Sequence, residues 1–128
     1  MILGIGVDMV EVRRIEEGLA RFGRRLAERI LSAAEVAEYD GNPRPAEFIA
    51  RRFAAKEALV KATGTGFRNG LFPREISIEH DDLGRPGLRF SGQARLVLEG
   101  MGIARTHVSI SDERAYAVAC VLLESAGA

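Results

Sequence analysis

The chain begins with an alternation of apolar and small or polar residues that is typical of a β-strand. Over residues 2–10 the two sides of this predicted strand differ, with Leu3, Ile5, Val7 and Met9 on one and Gly4, Gly6 and Asp8 on the other. The glycine side predicts an open surface with few side chains that ends at the Asp8 carboxylate. Because Asp8 and Glu11 also have the spacing of a capping box, an alternative role for Asp8 is to cap the next helix.

Helical periodicity follows this strand. Residues 12–31 are predicted to be helical with a break near Phe22 and Gly23, because apolar residues recur there every three or four positions. The side chains expected to face the core are those of Ile15, Leu19, Phe22 and Leu26. Ser32 and Glu35 have capping-box spacing, which predicts a further short helix ending near Tyr39.

The longest predicted helix covers residues 47–63, since neither Pro nor Gly interrupts them and Gly64 supplies a stop. At about 100° per residue, Glu57 falls on the same side as the apolar Phe53. A carboxylate among apolar side chains is expected to hold a cation or a metal, because burying an unpaired charge is costly. The alternative is an ordinary surface pair with Lys61, one turn further along the helix.

The second half of the chain returns to the two-residue period. Residues 75–80 and 87–90 alternate as strands around turn residues, which predicts a hairpin. A short helix is expected over residues 91–101, and strands over residues 107–111 and 116–123. We therefore predict an α+β fold, a single domain over residues 1–128 in which a mainly antiparallel sheet packs against the long central helix.

The composition is that of an ordinary soluble globular domain. Of the 128 residues 47% are hydrophobic and 28% are charged, and the net charge is zero, so no binding to nucleic acid is expected. Cys120 is the single cysteine, which predicts no disulfide framework and fits a reducing cytoplasm. With neither a leader pattern nor an apolar run of about 20 residues, the chain is expected to be intracellular and free of membrane segments.

The basic residues are distributed unevenly. The chain has 16 arginines but only two lysines, Lys56 and Lys61, and both fall in the long helix, where a compact ammonium group differs most from a planar guanidinium. Arg14, Arg21 and Arg25 are predicted to share one helix face, which suits an acidic helix laid alongside. The alternative for these three is a solvated arginine face.

Two further segments are candidates for ligand contact. Residues 64–70 form a glycine-rich loop whose backbone N–H groups could face phosphate, although the loop lacks the Gly-Lys-Ser/Thr ending of a P-loop. His107, Ser109 and Ser111 are expected on one side of a strand, facing solvent or a cleft. A lone histidine in a strand also has a purely structural alternative.

Three motifs together resemble the 4′-phosphopantetheinyl transferase superfamily, specifically its short, single-domain holo-acyl-carrier-protein synthases of bacterial fatty acid synthesis. They are Gly4-Ile5-Gly6-Val7-Asp8, then Arg52-Phe53-Ala54-Ala55-Lys56-Glu57 with Lys61 and Gly64-Thr65-Gly66, and finally His107-Val108-Ser109-Ile110-Ser111. Their order and spacing match that family from residue 1 to about residue 123. The resemblance implies transfer of phosphopantetheine from coenzyme A to a serine of an apo acyl carrier protein, with release of adenosine 3′,5′-bisphosphate.

The resemblance also implies Mg²⁺ as cofactor and a cytoplasmic homotrimer with active sites at subunit interfaces. Asp8 and Glu57 match the family's metal carboxylates, and Lys61 matches its phosphate-contacting lysine. The serine proton would go to Glu57 or to a metal-bound water. The residues expected to bind coenzyme A are Arg52, Lys61, Gly64, Thr65, Gly84, Arg85, Pro86 and His107. Arg14 matches a contact with the acidic carrier, and its shared helix face extends this expectation to Arg21 and Arg25.

One departure from the family pattern concerns the residues after Ser111. Many members have a histidine there, whereas this chain has Asp112 and Glu113, so no role of that histidine transfers. Two other functions stay open at this point. One is Mg²⁺-dependent hydrolysis of a nucleotide pyrophosphate, and the other is non-catalytic binding of coenzyme A or an acidic partner.

Overall fold

The computed structural model describes residues 1–67 and 70–127 of the chain. Its elements follow in the order β1 (Ile2–Glu11), α1 (Val12–Phe22), α2 (Arg24–Ile30), α3 (Ala33–Tyr39), α4 (Pro45–Thr63), a 3-10 turn (Pro73–Glu75), β2 (Ile76–His80), β3 (Pro86–Phe90), α5 (Gly92–Gly100), β4 (Arg105–Asp112) and β5 (Tyr116–Glu124). This succession confirms the predicted long helix, the hairpin and the two C-terminal strands.

The strands form two antiparallel sheets. The larger has the order β1-β5-β4, and the smaller is the predicted hairpin of β2 and β3. Within the larger sheet Asp8 lies opposite Ala119 and Val7 lies opposite Cys120. The first strand of the chain therefore pairs with the last, and the predicted α+β class with a mainly antiparallel sheet is confirmed.

Helix α4 covers one face of the larger sheet and forms the centre of the core. Gly6 lies so close to it that a Cβ atom there would overlap the carbonyl oxygen of Ala58, and Gly4 stands in the same relation to Ala62. The glycine side of β1, predicted to be an open surface, is in fact covered by α4. Small residues on both elements permit this close approach, which brings the end of β1 beside the C-terminal half of the helix.

The opposite face of the larger sheet carries exposed apolar side chains. Ile5 is 66% exposed, Val7 58% and Met9 62%. In the register of the sheet, Val118, Cys120 and Leu122 of β5 lie directly opposite these three and share their face. We call this surface the outer sheet face.

Helices α1, α2 and α3 pack around α4. Gly23, with φ of 62°, separates α1 from α2, and Ser32 and Glu35 form the predicted capping box of α3. Phe22, however, is 51% exposed, so its expected place in the core is wrong. It is the last residue of α1, and the periodicity does not continue across the break; its ring instead lies 5.1 Å from the Arg21 guanidinium.

Asp8 does not cap α1. The N-cap residue of that helix is Glu11, which makes no side-chain capping bond, and Asp8 lies within β1. Among the described residues, no helix has the length and apolar character needed to cross a membrane.

Candidate active site

Strand β1 and helix α4 bring an acid and a lysine together across 53 positions of sequence. Lys61 Nζ donates a hydrogen bond of 2.7 Å to Asp8 Oδ1. The Asp8 side chain is 15% exposed, whereas that of Lys61 is 53% exposed. The hydrogen bond to Asp8, and then the charge of that carboxylate, raise the pKa of Lys61 above its ordinary value. The ammonium group therefore stays charged at neutral pH.

Glu57 lies one turn before Lys61 on α4 and is half-buried. Burial raises the pKa of Glu57, the nearby negative charge of Asp8 raises it further, and Lys61 acts in the opposite direction. The hydrogen bond of Lys61 goes to Asp8, which disfavours the simple surface pair between Glu57 and Lys61. Two carboxylates thus share one electrostatic environment, and only one of them accepts a hydrogen bond from the lysine.

This pair of carboxylates fits a divalent cation. Bringing two negative groups together costs free energy that a cation between them would recover. Mg²⁺ prefers oxygen ligands and is commonly held by one or two carboxylates together with substrate phosphates and water. Across residues 1–67 and 70–127 there is no cluster of three or more His, Cys, Asp or Glu side chains arranged to hold a metal. Asp8 and Glu57 would therefore need substrate phosphates and water to complete the coordination of such an ion.

A cavity of about 440 Å³ adjoins the two carboxylates. Asp8 and Glu57 line it together with Arg14 and Gly18 of α1 and Phe53 of α4. The arginine face predicted from the sequence therefore begins at the same cavity as the carboxylates. Arg21 and Arg25 are exposed as well, further along α1 and α2.

The segment after Lys61 begins the predicted glycine-rich loop. Gly64 caps α4 with φ of 78°, a left-handed conformation that favours glycine. Thr65 Oγ1 lies 2.9 Å from Thr63 Oγ1, so a hydroxyl pair closes the helix end. Residues 68 and 69 of this loop lie outside the described residues.

The structure does not bring Arg52 to the cavity that Asp8 and Glu57 line. Its side chain is 6% exposed, and its Nη2 donates to Glu38 Oε2 at 3.0 Å. The guanidinium carbon lies 4.1 Å from the centre of the Phe48 ring. Burial lowers the pKa of Arg52, and the negative charges of Glu35 and Glu38 act in the opposite direction. Its Nε has no hydrogen-bond partner among the described residues.

His107 lies on the outer sheet face, whereas Asp8 points toward α4. In the register His107 lies opposite Leu122, and its Nε2 contacts Glu124 Oε1. Within one copy of the chain, the thickness of the sheet therefore separates His107 from Asp8. Asp112, the departure from the family pattern, lies at the end of β4, where Arg51 of α4 donates to its Oδ2 at 3.3 Å.

Gly84, Arg85 and Pro86 lie in the β2–β3 hairpin. Gly84 has φ of 84°, and the Arg85 side chain is 80% exposed and pairs with Asp81 at 3.2 Å. Hydrogen bonds from Arg85 to Asp81 lower the pKa of Asp81. The hairpin turn is thus held by its own side chains and belongs to the smaller sheet, apart from Asp8.

Sequence reasoning missed the partners of the other lysine. Lys56 is fully buried, and its Nζ donates to Glu35 Oε1 at 2.6 Å, to Ile30 O at 2.6 Å and to Pro73 O at 2.9 Å. Burial lowers the pKa of Lys56, and Glu35 opposes that effect. The capping-box spacing of Glu35 was its only sequence signal. That spacing says nothing about a second partner 21 residues away.

Comparisons with known proteins agree with this arrangement. The family model of the 4′-phosphopantetheinyl transferase superfamily matches residues 4–121. A holo-[acyl-carrier-protein] synthase of Pectobacterium atrosepticum is 50% identical over 124 residues, which are 97% of this chain and 98% of that protein.

Solved structures agree as well. The crystal structure of holo-[acyl-carrier-protein] synthase from Neisseria meningitidis is 42% identical, with a TM-score of 0.94 over 98% of this chain and 100% of that one. A holo-(acyl-carrier-protein) synthase from Bacillus anthracis, in complex with CoA (3′,5′-ADP), is 41% identical, with a TM-score of 0.81 over 98% of this chain and 99% of that one. Because the family model covers residues 4–121 and these relatives match nearly the whole chain, the chain belongs to the 4′-phosphopantetheinyl transferase superfamily.

Proposed function

We propose that this protein transfers the 4′-phosphopantetheine group from coenzyme A to a serine of an apo acyl carrier protein. The observation that carries the proposal is that Asp8 and Glu57 line one cavity together with Arg14, while Lys61 is bound to Asp8. Carboxylates for a metal, an ammonium group for phosphate and a guanidinium for an acidic protein are the groups that this reaction uses. Relatives that match nearly the whole chain carry the same activity in their names.

Asp8 and Glu57 would hold Mg²⁺, which supplies positive charge to the pyrophosphate of coenzyme A and orients the phosphorus under attack. Lys61, already fixed by Asp8, would contact the phosphate oxygens and stabilise the charge that develops on the leaving adenosine 3′,5′-bisphosphate. Gly64 and Thr65 come shortly after Lys61, at the end of α4, and would form a wall of the same phosphate site.

The chemical step is a displacement at phosphorus. The serine oxygen of the carrier forms a bond to the phosphorus that bears pantetheine, and the bond from that phosphorus to the bridging oxygen breaks. The electron pair of the broken bond stays on the bridging oxygen and leaves with adenosine 3′,5′-bisphosphate, whose developing negative charge the Lys61 ammonium group would stabilise. Glu57, whose pKa is raised by burial, is the chain's own candidate to accept the serine proton.

A homotrimer with active sites between copies is part of this proposal. The outer sheet face exposes Ile5, Val7 and Met9 side by side, and apolar patches of this kind are typical of protein interfaces. His107 lies on that same face, away from Asp8 of its own copy. A second copy that covers the face could bring its site to His107. The nucleotide of coenzyme A would then contact His107 and the Gly84, Arg85 and Pro86 turn, each supplied by one copy or the other.

Arg52 has a different place in the proposal. Because its guanidinium is buried and paired with Glu38, we assign it to the support of α4 and not to direct nucleotide contact. The proposed setting of the whole reaction is the cytoplasm, and the proposed carrier is that of fatty acid synthesis, as the family resemblance implies.

Mass spectrometry of an apo acyl carrier protein of bacterial fatty acid synthesis tests the proposal. After incubation with coenzyme A, Mg²⁺ and the protein, the carrier should gain about 340 Da, the mass of phosphopantetheine, and EDTA should prevent the gain because the transfer needs the metal. Release of adenosine 3′,5′-bisphosphate with an unchanged carrier would replace the proposal with hydrolysis. Binding of coenzyme A with neither product would replace it with a non-catalytic binding module.

A further inference from the structure

The arginines of the described residues fall into two groups. More than half form ion pairs with carboxylates, as Arg24 does with Asp40 and Arg51 with Asp112. The others have no ion pair within residues 1–67 and 70–127: Arg14, Arg21, Arg25, Arg29, Arg74 and Arg114. An exposed arginine with no internal partner keeps its full charge for a binding partner. Arg14, Arg21 and Arg25 form the predicted docking face. The other three have no role in the proposed function.

Arg29 and Arg74 continue that docking face around one corner of the molecule. Arg29 lies one turn after Arg25 on α2, and Arg74 comes from the 3-10 turn, which is distant in sequence. Arg25, Arg29 and Arg74 line one cavity of about 560 Å³ together with Phe72, which is 54% exposed. We call Arg29, Phe72 and Arg74 the second basic patch. Because Arg25 lines the same cavity, the patch is continuous with the docking face.

Two carboxylates lie beside the patch, those of Glu28 and Glu75, and each has another partner. Glu28 lies 3.6 Å from Arg24 Nε. Glu75 accepts hydrogen bonds from the backbone N–H groups of Gln93 and Ala94 in the first turn of α5, at 3.2 Å and 3.0 Å. Arg25, Arg29 and Arg74 outnumber these two carboxylates, so the local charge is positive although the chain as a whole is neutral.

Buried contacts hold the two parts of the patch in fixed relation. Lys56 Nζ donates both to Ile30 O, at the end of α2, and to Pro73 O, between Phe72 and Arg74. The single ammonium group therefore ties the helix that carries Arg29 to the turn that carries Arg74. A rigid arrangement of this kind lowers the entropy lost when a partner binds.

We propose that the second basic patch extends the carrier-docking surface, and that it receives a further acidic segment of the carrier whose apolar side chain covers Phe72. This inference rests on the proposed function and names a part of the partner surface that the predicted face of Arg14, Arg21 and Arg25 does not include. An exposed aromatic ring bordered by unpaired guanidinium groups is complementary to an acidic surface with an apolar centre.

Steady-state transfer to an apo acyl carrier protein of bacterial fatty acid synthesis tests the inference. Arg74→Glu should raise the KM for the carrier about tenfold and Arg74→Ala about threefold, with unchanged kcat and unchanged KM for coenzyme A, since exposed charges at an interface act mainly on association. Phe72→Ser should raise the carrier KM as well. The difference in carrier KM between Arg74→Glu and wild type should shrink at 0.5 M salt, where charges are screened over roughly 4 Å.

The matched control is Arg114→Glu. Arg114 is also exposed and without an ion pair among the described residues, but it lies in the turn between β4 and β5 and lines neither the cavity of the second basic patch nor the cavity of Asp8, Glu57 and Arg14. It should keep the wild-type KM for the carrier. An equal rise in Arg114→Glu and Arg74→Glu would reduce the effect to net charge and overturn the inference.

The remaining outcomes separate the inference from the proposed function. If wild type modifies the carrier and Arg74→Glu has the wild-type carrier KM, the second basic patch is not a docking surface and the transferase proposal stands. A rise in the KM for coenzyme A instead of the carrier would make the patch a nucleotide phosphate site and would also overturn the inference. If wild type does not modify the carrier at all, the proposed function itself fails.

Discussion

Helix α4 carries the chain's two lysines five residues apart, in opposite environments. Lys56 is fully buried and bound to Glu35 and to two backbone carbonyls, whereas Lys61 is 53% exposed and bound to Asp8 beside the cavity. Each lysine thus has one carboxylate partner, yet only the exposed pair can reach a substrate. The same residue type serves the fold in one place and the proposed chemistry in the other, and burial decides which.

The buried pair should dominate stability. Lys56→Met leaves the buried Glu35 charge without its hydrogen-bonded cation and with only the more distant Arg52 Nε at 3.7 Å, so the free energy of unfolding should fall by about 3–5 kcal/mol. Urea denaturation followed by circular dichroism measures this. Lys61→Met is the matched control and should unfold nearly as wild type does, since its ammonium group is exposed. Equal losses in the two variants would remove the distinction between the lysines.

A double variant sharpens the same point. Lys56→Met with Glu35→Leu removes both charges together, so its loss of unfolding free energy should be smaller than the sum of the single losses by about 2 kcal/mol. The same denaturation experiment on the two single variants and the double variant gives the coupling. Additive losses would mean that Lys56 acts only through Ile30 O and Pro73 O.

The site of the exposed pair should dominate the response to metal, because Asp8 and the neighbouring Glu57 would be the metal ligands. At a Mg²⁺ concentration ten times its Kd, binding should raise the unfolding free energy of wild type by about 1.4 kcal/mol. Glu57→Gln, which lacks one of the two carboxylates, should show little of this gain, while Lys56→Arg should retain it if it folds. Thermal unfolding with and without Mg²⁺ checks the prediction. An equal gain in wild type and Glu57→Gln would place the metal elsewhere.

The smallest expected effect is a pH dependence without metal. The folded-state pKa of Glu57 is raised above 4.5, so the stability that its protonated form contributes is present below pH 4.5 and is lost as the pH rises through the raised value. At pH 7 Glu57→Gln should therefore be more stable than wild type by no more than about 0.5 kcal/mol, because solvent screens a half-exposed carboxylate. Denaturation at pH 4 and pH 7 should show that difference vanish at the lower pH; a gain that persists at pH 4 would have another cause.

Local patterns predicted most of the fold. The alternation in β1, the break at Gly23 and the capping box of Ser32 and Glu35 all depend on neighbours within a few residues, and each is confirmed. Phe22 was misplaced because the periodicity was continued across a helix break. The pairing of β1 with β5 has no local signal, since it joins opposite ends of the chain.

The candidate site was predictable only in part. Asp8, Glu57 and Lys61 were named from motif and helix face, and the structure brings them together. The burial of Arg52 and Lys56 could not be read from the sequence, because it depends on Glu35 reaching across from α3 while also accepting from Ile78 N in β2 at 2.9 Å. The place of His107 on the outer sheet face likewise follows from strand register, which short-range patterns do not determine.

The most direct measurement of the central claim is the rate of carrier modification by Glu57→Gln, followed by mass spectrometry with analytical ultracentrifugation of the same samples. The account predicts a rate about 10²- to 10³-fold below that of wild type, because loss of a Mg²⁺ ligand removes electrostatic stabilisation of the transition state. The sedimentation of the variant should equal that of wild type. A near-normal rate in a variant with normal sedimentation would contradict the account and leave Glu57 without a part in the chemistry.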